Sequence, residues 1–359
     1  MFGKGTWIGA VALVALSACS GGANQTTPAA DLGLASQARD TKAQGLPAAI
    51  PSGPGYTVTV FARGTSTLKN PDPIVSVGGW TYVAYQNATA STGGGGDSTI
   101  VQYAAGGVVH HTLNLPGRID GMRFNPYDGK MWVTVNEDAN SSLFTVDVTS
   151  WAVKHYTFSS ASHGGGYDDL AFANGKAFIA ASNPTLNSSG INTHPALVSV
   201  VLNGGVAEVT PVLMGNASAS DIRTGGKVTL NLTDPDSMTV APSGTDVVLI
   251  SQADQEFVRI YNAGLSTQTV SRLLSTAQLD DTQFALESDG LFYVVDQNAN
   301  VIYIIRGAIR PGAIYTQANN FVATMDPNTG ALTNAVTGFQ KPSGLLFVSD
   351  RDADALRTR

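Results

Sequence analysis

What most constrains this chain is a run of four short strands, closed by tight turns, that recurs along most of its length. The clearest copy spans residues 120–158. Met122–Asn125, Met131–Asn136, Leu143–Asp147 and Val153–Phe158 are each rich in β-branched or aromatic residues. Turn-forming stretches at 126–129 (Pro-Tyr-Asp-Gly), 136–140 and 148–151 separate them. Four consecutive antiparallel strands make a meander, and a recurring meander is the sequence pattern of a β-propeller.

The other copies fall into place around this one. Tyr56–Phe61 alternates as a strand should, and meanders follow at 74–113, 170–213 and 238–274. A fifth opens with Thr282–Leu286, Leu291–Asp296 and Val301–Arg306. Between 307 and 338 the register blurs, and Leu345–Val348 ends the pattern. The expected fold is therefore all-β: one propeller over residues 56–350, with six blades of four antiparallel strands. The blurred stretch leaves five or seven blades open. The amino-terminal strand is expected to complete the last blade beside Leu345–Val348, because ring closure removes free sheet edges.

The six residue groups leading into the innermost strands carry the second repeat. They are Pro71-Asp72-Pro73, Ile119-Asp120-Gly121, Tyr167-Asp168-Asp169, Pro235-Asp236-Ser237, Leu279-Asp280-Asp281 and Pro342-Ser343-Gly344. Five contain Asp and the sixth has Ser. An Asp here can fix its own turn by accepting backbone N–H bonds. Meander geometry also places these residues on the same rim as the loops after each second strand: Gln86/Asn87, Asn136/Glu137/Asp138, Ser182/Asn183, Ser251/Gln252 and Asp296/Asn298. The expected result is an oxygen-rich mouth of the kind that suits a hard cation such as calcium. Asp72, Asn87, Asp168, Asp169, His194, Gln252, Asp280 and Asp296 are its expected ligand-binding rim.

His163-Gly164-Gly165-Gly166 has the look of an oxyanion loop, but the chain has no Gly-x-Ser-x-Gly elbow to accompany it. A glycine-rich connection is the plainer reading. The loop is expected to bring His163 to the mouth beside Asp168 and Asp169, where it would be held protonated and could serve as an acid or base. The long stretches 184–195 and 214–233 are read either as rim loops or as tolerated length variation.

The formal net charge is −7, only 13% of residues are charged, and no Lys/Arg run is present. Nucleic acid is therefore not an expected partner. No Walker loop, zinc spacing, EF-hand loop or dinucleotide fingerprint occurs, which leaves phosphoryl transfer and nicotinamide chemistry without support.

The single cysteine, Cys19, excludes an intrachain disulfide. Lys4 precedes an apolar segment, Trp7–Leu16, that is too short for a comfortable membrane span. Leu16-Ser17-Ala18-Cys19 then resembles a bacterial lipobox. The resemblance implies a signal peptide over 1–18, acylation of Cys19, and export to a lipid-anchored position in the cell envelope. With Ser20 following, the outer membrane is the expected destination in a diderm bacterium. Residues 19–55, rich in Gly, Ala, Pro and Ser, read as a tether, and 351–359 as a carboxy-terminal tail.

Across 56–350, DGMRFNPYDGKMWVTVNED, DDLAFANGKAFIAASN, DPDSMTVAPSGTDVVLISQ and PSGLLFV resemble extracytoplasmic propellers of the NHL and gluconolactonase-like superfamily. That resemblance implies a divalent metal at the mouth, held by Asp120, Asn136, Asn183, Asp236 and Asp281. Asp72 stands where the family pattern carries an early Glu. The leading functional expectation is non-catalytic binding of a small ligand or an envelope protein. One alternative is a metal-dependent lactonase or esterase, with His163, Asp236 and Asp281 managing protons. The other is a structural envelope scaffold.

Overall fold

The computed structural model describes residues 49–159 and 163–350. The leader, Cys19, most of the tether and the 351–359 tail lie outside the described residues. Among the described residues the regular elements are strands, apart from one 3₁₀ turn at Ala105–Gly107. The architecture is all-β and propeller-type.

Its logic begins in the second strand of each meander. Lys130–Val135 is buried along almost its whole length, on both faces. Met131, Val133 and Val135 pack toward Tyr82 and Ile100 of the preceding sheet, whereas Trp132 packs toward Leu170 and Phe172 of the following one. A continuous apolar run of this length is what a strand sandwiched between two sheets requires. Repetition of the arrangement yields separate apolar clusters between successive sheets, and Phe61, Ile74, Tyr85, Tyr293 and Ile302 join the end of the chain to its beginning.

The innermost strands are Pro71–Val77, Ile119–Asn125, Leu170–Ala173, Pro235–Val240, Leu279–Phe284 and Pro342–Val348. Each touches the next, and the last touches the first, so they enclose an axis. The sheets led by Ile119–Asn125 and Leu170–Ala173 also join at their outer edges, where Thr157 and Phe158 pair in parallel with Val206 and Ala207. A hairpin, Ser218–Asp221 with Gly226–Thr229, extends the next sheet outward through Asp221 and Val270. The 214–233 stretch is thus partly an edge hairpin.

Two expectations are corrected. Leu279–Phe284 does not pair with Leu291–Asp296; its partner is Ile314–Ala318, with Phe321–Met325 and Leu332–Thr337 beyond. Leu291–Asp296 pairs instead with Pro342–Val348 and Val301–Gly307. Both partners present apolar residues at alternate positions, so local pattern does not choose between them. The choice is made by long-range packing. At Gly290 a Cβ would stand 2.4 Å from the Phe347 ring and 2.8 Å from the Val348 carbonyl oxygen, a closeness only glycine allows. The amino-terminal strand, Tyr56–Arg63, belongs to the same sheet as Pro342–Val348 but lies at its far edge, bonded to Val301–Gly307.

Many turns between strands are made by asparagine. Among the described residues, nine of the eleven non-glycine residues with positive φ are Asn, a residue that tolerates the left-handed region and bonds its own backbone.

Candidate functional site

The first residues of the inner strands converge on one end of the axis. There they line a cavity of about 250 Å³ with ten carboxylates and three cations, Arg118, Arg123 and Lys341. Asp72, Asp120, Asp168, Asp236 and Asp280 come from the repeated turns, and Glu137 and Gln252 from loops after second strands. Asp72 accepts a bond from Gln86 Nε2 and another from Gln297 Nε2 at 3.3 Å. Gln86 Nε2 also donates to Asp120 Oδ1 at 2.8 Å, and Lys341 Nζ to Gln297 Oε1 at 2.7 Å. Arg118 Nε lies 3.0 Å from Asp120 Oδ1, and its Nη1 lies 3.5 Å from Glu137.

Deeper in, Arg123 bridges two inner strands. Its Nη2 lies 2.6 Å from Asp169 Oδ2 and 3.5 Å from Asp281 Oδ1, and donates to the Met238 carbonyl at 3.0 Å. Backbone donors complete the set: Leu170 N and Met238 N to Asp169, and Leu345 N to Asp281. Asp169 and Asp281 line the cavity, but their oxygens are committed to holding inner strands together.

Burial governs the charge state of this site. Desolvation pushes Asp72 up to about 7, against the opposing pull of Arg118. It pushes Asp281 to about 6, held back by Arg123. Asp120, Asp168, Asp236 and Asp280 rise well above the usual carboxylate range, first through burial and then, for most of them, through neighbouring carboxylates. Glu137 and Asp234 also rise by burial. The Asp168 carboxyl faces those of Glu137 and Asp236, with an oxygen of each within 4.8 Å of the others. Such carboxyl pairs need a proton between them, so the cluster is held together by protons or by something that replaces them.

A cation fits that description. Glu137, Asp168 and Asp236 each offer an oxygen, and the three oxygens lie within 4.8 Å of one another. Ligand oxygens about 2.3–2.6 Å from one calcium ion cannot stand more than about 5 Å apart. Two further oxygens lining the cavity, Asp120 Oδ2 and Ser237 Oγ, are buried with no hydrogen-bond partner among the described residues. Orphaned buried oxygens of this kind call for a donor or a cation.

The expected site residues divide accordingly. Asp72, Asp120, Asp168, Asp236, Gln252 and Asp280 line the mouth, and Asp169 and Asp281 line it while serving Arg123. The others are elsewhere. Asn87 clamps a turn through Lys69 N, the Asp97 carbonyl and Thr99. Asn136 accepts from Arg118 N and donates to the Asn140 carbonyl, with a φ of 65°. Asn183 is exposed outside the cavity lining, and Asp296 caps the 297–300 turn and ties down Gln340 N and Lys341 N. Backbone groups claim the Asn136 amide, and Asn183 lies outside the cavity lining, which removes both from the metal set.

His163 is also corrected. It is 2% exposed, bonded through Nε2 to the Gly166 carbonyl at 2.6 Å, and packed edge-on against Tyr167. Burial lowers its pKa, so it is held neutral. It does not line the mouth, and neither does His194. The 184–195 stretch is pinned instead by Asn192, which is fully buried and donates to the Leu232 carbonyl at 2.6 Å.

Sequence reasoning placed Glu137 on the rim without naming it a ligand, and it passed over Arg118 and Arg123. The available signal was Arg-Ile-Asp-Gly-Met-Arg at 118–123: two cations flanking a rim Asp in a chain with few charges.

The chain matches no family model and no curated protein sequence. Among solved structures, similar chains include a proposed gluconolactonase at 10% identity, covering 84% of this chain and 89% of that one, with a TM-score of 0.49. A proposed 6-phosphogluconolactonase from Bacteroides uniformis is 13% identical, covering 80% and 90%, with a TM-score of 0.46. A β-propeller domain from Myceliophteria thermophila is 11% identical, covering 80% and 91%, with a TM-score of 0.44.

Proposed function

We propose that this chain is an exported, lipid-anchored binding protein built on a six-bladed propeller, whose acidic mouth holds a hard divalent cation such as calcium. Glu137, Asp168 and Asp236 are its ligands, with Asp120 and Ser237 close at hand. The observation that carries this reading is the convergence of those three carboxylate oxygens within 4.8 Å. A small ligand or envelope partner would then be recognised at the mouth over the cation.

The test is a melting curve in calcium and in chelator. At a hundredfold excess over the dissociation constant, a bound cation adds about 2.7 kcal/mol. For a domain of this size that is roughly 4 °C. The combined change Glu137→Gln and Asp168→Asn should remove the calcium-dependent shift while the chelated protein still melts cooperatively. Equal melting of the parent with and without calcium would end the proposal.

A metal-dependent hydrolase of lactones or esters is the second reading, and one residue favours it. Asp72, pushed up to about 7, could both give and take a proton near neutral pH. A cation at the mouth would supply polarisation of a carbonyl. Loss of calcium-dependent turnover in Asp72→Asn, with calcium binding retained, would favour this reading over simple binding.

The anchor has its own test. Cys19→Ser should move the protein from the membrane fraction to the soluble fraction, since acyl chains on that thiol and the new amino terminus are the proposed attachment. Persistence in membranes would exclude it.

A further inference from the structure

The axis holds a second chamber of opposite character. All six inner strands contribute to it, through residues centred about three positions beyond those lining the mouth: Ile74–Ser76, Arg123, Leu170–Phe172, Thr239, Gln283 and Leu346 among others. At about 3.3 Å per residue, the two chambers are offset along the axis by roughly 10 Å. The second has a volume of about 410 Å³, and nine of its thirteen lining residues are apolar. A concave, mainly apolar space with a few placed polar groups is the usual form of a small-molecule site.

Arg123 lines both chambers and marks the boundary between them. Its hydrogen bonds among the described residues, to Asp169 and to the Met238 carbonyl, and its 3.5 Å contact with Asp281 all leave from Nη2. No hydrogen bond of Nε or Nη1 is seen among the described residues, which leaves these donors of the fork for a ligand in the cavities that Arg123 lines. Gln283 and Thr239 add hydrogen-bonding groups to the chamber wall.

We infer that this apolar chamber binds a neutral, mainly apolar small molecule carrying one acceptor oxygen, such as a medium-chain ketone or ester, with that oxygen directed at Arg123. An anion fits less well, because Asp169 and Asp281 already balance the guanidinium from the other side. A cation would meet Arg123 directly. The chamber lies apart from Glu137, Asp168 and Asp236, so this site does not depend on the cation reading.

The test uses the full-length chain carrying Cys19→Ser and the neutral probe N-phenyl-1-naphthylamine, whose fluorescence rises in apolar surroundings. Saturable binding at one site, displaced by 2-octanone at least tenfold more effectively than by octanoate, is expected. Ser76→Trp and Gln283→Trp, at half-buried positions on different inner strands, should each fill the chamber and weaken probe binding at least tenfold. Cooperative melting at the parental temperature shows that a variant is folded. Probe binding that does not saturate, or that survives in whichever tryptophan variant folds, would overturn the assignment. Equal displacement by octanoate and 2-octanone would overturn the neutral-ligand part.

Discussion

Arg123→Met is expected to destabilise the protein by about 3–5 kcal/mol, because it strands two buried carboxylates without their shared counter-ion. Methionine keeps much of the arginine stem's volume, so the effect isolates charge rather than packing. In the parent, Arg123 holds Asp281 down to about 6 against the burial that raises it. Without the guanidinium, Asp169 and Asp281 can remain in the folded state only by binding protons. The deficit should therefore be largest near pH 8 and shrink as the pH falls toward 5. Parent and variant differing by less than about 1 kcal/mol at pH 8 would show that the bridge is not a structural pin.

The same logic fixes the pH profile of the parent in chelator. Asp72 and Asp281 have folded pKa values of about 7 and 6, above the ordinary value of 3.8. Between those limits the folded state binds protons that the unfolded state does not. Stability is full below about pH 4 as far as these two groups are concerned, and is lost as pH rises through 6 and 7. Calcium, by replacing protons in the same cavity, should flatten that decline.

Removal of residues 342–359 is expected to abolish cooperative folding altogether. The deletion takes the inner strand of the closing sheet, leaving Leu291–Asp296 with an open edge and Asp281 without the Leu345 donor. It also exposes the apolar surface that Leu345 and Phe347 share with Phe292 and Tyr315. Circular dichroism and a melting curve decide the matter, and a cooperative transition near the parental temperature would refute the expectation. The converse deletion, of residues 1–48, leaves every described sheet intact and should melt like the parent.

The repeated Asp was legible in the sequence because each copy is a local event: one turn before one strand, with the ring bringing the copies together. Glu137 was half legible for the same reason, since the loop after a second strand must share that rim. Arg123 was legible only as a cation close to a rim Asp, and its partners were not legible at all. Its side chain crosses the axis to strands 46 and 158 residues away, and no local pattern encodes that reach. Asn136 and Asp296 misled because their side chains have the right chemistry in the right loops, but backbone N–H groups claimed them first. His163 misled because a glycine-rich loop suggests exposure, whereas here the glycines allow close burial: at Gly165 a Cβ would meet the Ser182 and Asn183 carbonyl oxygens within 2.3 Å. The exchange of partners between the last two sheets was hidden by strands whose alternation suits either neighbour.

The asparagine turns give this fold a definite way to age. Asn174 sits in the left-handed region directly before Gly175, where the next backbone nitrogen is least shielded from the side-chain carbonyl. Its Nδ2 donates to the carbonyls of Thr245 at 2.8 Å and Ala263 at 3.2 Å, fastening one sheet to the next. Spontaneous deamidation there would replace a donor with a carboxylate facing two carbonyl oxygens, turning a clasp into a repulsion. The folded ring would then age by slow chemistry at its turns as well as by unfolding.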